Sequence, residues 1–274
     1  MSTTPTVTIG SLRVDDASLH YEVRGHGPLV VLVGAPMDAR SFVPLADLLA
    51  VDHTVLTTDP RGINRSPVDD PERDSTPEMR ADDLRRLITH LGTGPAAVLG
   101  SSGGAVSALA LAQAHPEVVH TVIAHEPPLN ELLEDRAELR AGTEEIIATY
   151  LGGDHVGAFR KFLEVANIFL PDEVVEQIAG GERDAQALAD DHYQHAHMLR
   201  PTTRWVPDLD ALRGSGSRIV VGIGEESGGQ LCDRTSRALA AGLGVEPTPF
   251  PGDHVGFAEV PEAFATRLRT VLGS

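Results

Sequence analysis

The chain is 274 residues long and 41% hydrophobic, with a formal net charge of −18 and a single cysteine. That length accommodates one large α/β domain, or a core domain carrying an insertion. The charge argues against nucleic acid and anionic membranes as partners, no apolar run approaches the roughly 18–20 residues of a bilayer span, and one thiol without CxxC spacing offers neither an internal disulfide nor a zinc site.

The start, MSTTPTVTIG, lacks the basic-then-apolar pattern of a secretory signal, so the chain is expected in the cytoplasm. TVTIGSLRV and ASLHYEVRG then alternate apolar and polar residues, as half-buried antiparallel strands require. PLVVLVG (28–34) is continuously apolar and ends in glycine, which suits a strand buried on both faces of a parallel sheet. Segments 53–59, 95–101, 118–126, 217–224 and 246–252 repeat that character. Helix-like stretches lie at 39–50, 75–92, 103–115, 229–243 and 258–272. Ser75 and Glu78 have the spacing of a capping box for the second of these, where Leu84, Leu87, Ile88 and Leu91 recur at helical intervals. Cys232 falls on the helix at 229–243 and reads as a small packing residue.

Strand–helix alternation predicts a doubly wound, mostly parallel sheet with ligands beyond the carboxyl ends of its strands. The alternation breaks between about 129 and 207, where four helix-like stretches are separated by GGD, LPD and GGERD. The expected organisation is a core from 1–128 and 208–274, with a helical cap at 129–207. His192, His195 and His197 in HYQHAHM do not share one helix face, which argues against a metal site.

Gly100-Ser101-Ser102-Gly103-Gly104 sits between a predicted strand and a predicted helix and fits G-x-S-x-G. In such a turn the central residue is strained and its hydroxyl projects, so Ser102 is the candidate nucleophile and Ser101 a spacer. Three other segments accompany it: VLVGAPMDARSF, TDPRGINRS with Asp59, Arg61, Gly62 and Ser66, and FPGDHVGF. In this order the four resemble the successive motifs of the α/β-hydrolase superfamily, over nearly the whole chain and loosely in the cap. One departure is Val33-Gly34, where many members carry His-Gly.

The resemblance implies an α/β-hydrolase fold, with an oxyanion held by the backbone N–H groups of Ala35 and Gly103; Pro36 has no N–H to offer. A serine hydroxyl needs an adjacent base, and His254 occupies the loop the superfamily reserves for it. The acid is usually placed after the strand RIVVGIG, three residues past its last glycine, where this chain has Ser227. Glu225, Glu226 or, further off, Asp233 could substitute by a shift of register. The alternative is Glu126, at the end of the strand that follows the nucleophile helix. Haloalkane dehalogenases with glutamate and fungal lactonases that open the macrocycle of zearalenone take their acid there. The lactonases are also similar in their tandem elbow serines and in a His-Glu pair 24 residues after the nucleophile. Glu126 is preferred; a bland alternative has it cap its strand and pair with Arg61.

Specificity is expected to reside in the cap, whose Ile146, Ile147, Phe159, Phe162, Leu163 and Phe169 can serve the seam with the core or a pocket wall. Met37 and Trp205 are candidate substrate contacts, and Trp205 could equally pin the junction where the cap returns to the sheet. The expected activity is hydrolysis of a carboxylic ester or lactone of a neutral small molecule, without metal or cofactor. A perhydrolase or haloperoxidase, a C–C bond hydrolase and a non-catalytic small-molecule receptor on the same fold are the rivals. Self-association, including a homodimer, stays open.

Overall fold

The computed structural model describes residues 6–273. An eight-stranded sheet runs through it: β1 (Val7–Arg13), β2 (Ser18–Gly25), β3 (Leu29–Val33), β4 (Thr54–Thr58), β5 (Ala96–Ser101), β6 (Val119–His125), β7 (Arg218–Gly224) and β8 (Thr248–Phe250). Their order is β1-β2-β4-β3-β5-β6-β7-β8, antiparallel from β1 to β4 and parallel from β4 onward. All five residues of β3 and all six of β5 are buried, as a strand covered on both faces must be. The half-exposed β1, by contrast, lies at the sheet's edge.

In chain order the helices begin with α1 (Val43–Leu49), α2 (Pro77–Leu91) and α3 (Gly103–Ala114). Between β6 and β7 come α4 (Arg136–Leu151), α5 (His155–Ala166), α6 (Asp172–Ala179), α7 (Ala185–Tyr193), α8 (Leu199–Thr203) and α9 (Leu209–Gly214). The C-terminal part adds α10 (Leu231–Leu243), α11 (Gly256–Glu259) and α12 (Pro261–Leu272). One buried cluster joins α2, α3 and α10 to one side of the sheet, and a second joins α1, α11 and α12 to the other. Residues 194–198 form one π-helical turn between α7 and α8. Among the described residues no helix is long and apolar enough to cross a membrane.

The capping box at Ser75 is not formed. Thr76 is the N-cap of α2, its side chain accepting from Met79 N, and Pro77 takes the first helical position, where its missing N–H costs nothing. Ser75 is instead buried against Arg80, whose guanidinium donates to its carbonyl, to Ser107 on α3 and to Thr202 on α8. This one side chain ties the helix behind the elbow to the helices between β6 and β7. Burial pushes its pKa down to about 10.

Candidate active site

The turn from β5 into α3 holds Ser102 at φ 56° and ψ −126°, a strained conformation for a residue with a Cβ. Its neighbours explain why glycine surrounds it. A Cβ on Gly100 would lie 2.3 Å from Gly104 O, and one on Gly104 would lie 2.2 Å from Val33 O. Only bare backbone lets the elbow press against β3. Ser102 N donates to His125 O at 3.0 Å, which fixes the turn to the adjacent strand. Ser101 points away and is buried, its hydroxyl 3.3 Å from His125 Nδ1.

Glu126 follows β6 directly with a second positive φ, 53°, and is fully buried. Its Oε1 accepts from Gly224 N at 2.8 Å, and its Oε2 lies 2.6 Å from His254 Nδ1. An ionised carboxylate can only accept, so Nδ1 carries a proton and Nε2 is the basic nitrogen. Burial alone would raise the Glu126 pKa; the hydrogen bond and charge of His254 outweigh it and hold the carboxyl at about 2. For His254 burial opposes the charge, but Cys232 and Glu126 prevail and the imidazole is raised above its ordinary value.

Arg61 does not approach Glu126; it pairs with Asp83 and Asp16. Glu225 and Glu226 are exposed, and Ser227 is buried beside the Glu126 carboxylate. Asp233 is engaged by Gly229 N and Arg237. Of the acids considered from the sequence, Glu126 alone touches the imidazole.

Ser102 and His254 line one cavity of about 250 Å³, together with Ala35, Gly103 and Met37. Its far wall comes from α4, α5, the π turn and α8, including Ile146, Phe162, Met198 and Thr202. Trp205 is not in that wall. It is buried in the cluster around β5 and α3, with Nε1 donating to Glu78 Oε1 at 2.8 Å, so it pins the junction and its assignment as a substrate contact is corrected. Phe169 serves neither seam nor pocket, being 89% exposed beyond the end of α5.

Cys232 also needs correcting, because it faces the cavity. Its sulfur lies within 4.8 Å of ligating atoms of both His254 and Glu126. These three are the one group of potential metal ligands among the described residues. The histidines of HYQHAHM go separate ways: His195 stacks on Tyr150 with ring centroids 3.9 Å apart, and His197 meets Asp74. Asn130, a further cavity residue, had no signal in the sequence beyond its closeness to Glu126.

A parallel sheet with a strained serine at the end of β5, facing a carboxylate–imidazole pair from β6 and the loop after β8, defines a hydrolase-type site. A family described as alpha/beta hydrolase fold matches residues 27–198. An uncharacterized hydrolase of Bacillus subtilis (strain 168), YraK, is 32% identical over 280 residues, covering 97% of each chain. A zearalenone hydrolase of Bionectria ochroleuca is 27% identical over 90% of each. Among solved structures, a hydrolase from Pseudomonas aeruginosa PA01 superposes with a TM-score of 0.72 at 21% identity, covering 97% of this chain and 98% of that one. The chain belongs to the α/β-hydrolase family. It is a hydrolase of that fold.

Proposed function

We propose that this hydrolase cleaves a carboxylic ester or lactone of a neutral small molecule through an acyl-enzyme on Ser102. The observation that carries the reading is the His254 Nδ1–Glu126 contact of 2.6 Å, opening onto the cavity that also holds the strained Ser102. Ser102 Oγ attacks the carbonyl carbon and its proton passes to His254 Nε2. Glu126 keeps Nδ1 protonated and stabilises the imidazolium. The tetrahedral oxyanion is held by the N–H groups of Ala35 and Gly103, each worth about 3–4 kcal/mol in the transition state. The imidazolium then returns the proton to the leaving alkoxide, and water repeats the sequence to free the acid.

Neutral substrates fit the wall. Apart from His254, no acidic or basic side chain among the described residues lines the cavity, so a charged group would be desolvated without a partner. In this reading residues 129–207 act as a cap that closes over the acyl group, and the zearalenone hydrolase relative supports a lactone as one acceptable form. A hydrolysis screen over open-chain esters and lactones, with Ser102→Ala as control, tests the proposal. Turnover of at least one class, lost in the variant, is expected; equal rates in both chains would remove the reading.

A further inference from the structure

Gly103, whose N–H is assigned to the oxyanion, is wedged between two neighbours. A Cβ on it would lie 2.6 Å from Ala35 O and 3.3 Å from Thr202 Cγ2, so it sits between the residue of the other assigned donor and a threonine of α8. Its carbonyl accepts from Ser107 Oγ, one turn further along α3, at 3.0 Å. Ser107 and Thr202 both lead to a single side chain. Arg80 on α2 donates from Nε to Ser107 Oγ and from Nη2 to Thr202 Oγ1, each at 2.8 Å. Thr202 Oγ1 in turn donates to Met198 O in the π turn at 2.7 Å. Ser75, which accepts from Arg80 Nη1, donates its own N–H to His197 O in the same turn at 2.9 Å. The elbow and the far wall of the cavity therefore hang on one guanidinium.

Packing alone would not place an arginine there. Arg80 is 3% exposed and its hydrogen bonds run to neutral oxygens. Asp83, whose charge acts on it, is bonded to Arg61 instead. A methionine would fill a similar volume without burying a charge that no carboxylate touches. What arginine adds is a planar fork whose donors point in fixed directions, able to fix Ser75, Ser107 and Thr202 relative to one another. Two of those three bear directly on Gly103, where a displacement of about 1 Å is enough to cost on the order of a hundredfold in rate.

We propose that Arg80 is a positioning residue for the oxyanion hole: through Ser107 and Thr202 it holds the Gly103 N–H where the tetrahedral oxygen forms, in register with the cavity wall at α8. It lies outside the cavity lining and touches no substrate atom. This rests on the ester or lactone reading above and deepens it by naming what fixes one of its two donors.

The test measures p-nitrophenyl ester turnover by Arg80→Met, Ser107→Ala and Thr202→Val, the last keeping a methyl against Gly103. Active sites are counted by the end point of fluorophosphonate labelling, so that misfolded chains drop out of kcat. Arg80→Met is expected to lose at least about tenfold in kcat with KM within about threefold of the parent. Ser107→Ala and Thr202→Val should each lose about threefold or more, and neither should cost anything further in the Arg80→Met background, where its arm is already gone. An arginine that only staples the fold would lower the thermal midpoint and leave kcat per labelled site within about twofold; that result overturns the inference, as do second substitutions that keep their full effect. Should Arg80→Met not fold, the two single variants decide, and both within about twofold of the parent is the contrary result. If the parent chain neither cleaves an ester nor labels at Ser102, the hydrolase reading fails by itself. Deuterium exchange then decides the role of Arg80: it should speed up across 101–108 in Arg80→Met and Ser107→Ala but not across 7–25, and unchanged exchange across 101–108 overturns the inference.

Discussion

Replacing Glu126 by glutamine keeps the side chain's shape and exchanges one acceptor oxygen for an NH2 group. Both carboxylate oxygens are committed, Oε1 to Gly224 N at 2.8 Å and Oε2 to His254 Nδ1 at 2.6 Å, and the group is fully buried. An amide cannot accept at both ends. If its oxygen stays with Gly224, the NH2 meets Nδ1 and drives the imidazole proton to Nε2, the nitrogen that must receive the Ser102 proton. Loss of the correct tautomer at a triad acid costs on the order of 10⁴ in turnover, or about 5 kcal/mol of barrier. If the amide turns over, its NH2 faces the Gly224 N–H, and two buried donors without acceptors cost about 1–3 kcal/mol of stability. Turnover of a p-nitrophenyl ester and the thermal midpoint therefore need to be read together. A large fall in kcat is expected, or a smaller one with the midpoint lowered by several degrees. Activity within about threefold of the parent at an unchanged midpoint would refute the reasoning.

The same residue sets a pH dependence. Its folded pKa of about 2 lies below the ordinary carboxyl value, so its contribution to stability is fully present above about 4.3 and is lost as pH falls through 2. Urea unfolding of the parent should weaken more steeply over that window than unfolding of Glu126→Gln. Because His254 is raised, ester hydrolysis should climb with pH to a midpoint above the ordinary imidazole value of 6.5, and the midpoint should move down in Glu126→Gln. Gly104→Ala should lose at least about 1–3 kcal/mol in urea unfolding, since its Cβ would meet Val33 O at 2.2 Å and backbone would have to shift. Treatment with N-ethylmaleimide should block hydrolysis by alkylating the cavity thiol of Cys232, and Cys232→Ala should not respond to the reagent; equal inhibition of both chains would place the effect elsewhere.

What could be read from residues alone follows from how tightly each feature is tied to local chain. The parallel strands were legible because burial on both faces leaves an unbroken apolar run, as in Leu29–Val33. Ser102 was legible because a strained elbow demands glycine at both sides. Glu126 needed more: an unfilled position at Ser227 and a strand order that sets β6 beside β5. Apart from the cap at Ser75, the contacts that failed are between distant segments. Apolar spacing in 155–170 shows that a face is apolar but not what covers it, so Leu163 is buried while Phe169 stands in solvent. Trp205 takes its place from Glu78, 127 residues away in the chain, and Cys232 from a histidine loop on the other side of β8. Ser75 and Thr76 both suit an N-cap, and Pro77 next to Thr76 decided between them.

The central claim is that Ser102 is made nucleophilic by His254, and covalent labelling tests it most directly. A fluorophosphonate should attach to the parent chain at Ser102, located by peptide mass spectrometry, with no adduct on Ser102→Ala and labelling slowed by several orders of magnitude in His254→Ala. A folded parent chain that stays unlabelled, or labelling that proceeds at the same rate without the imidazole, would contradict the account.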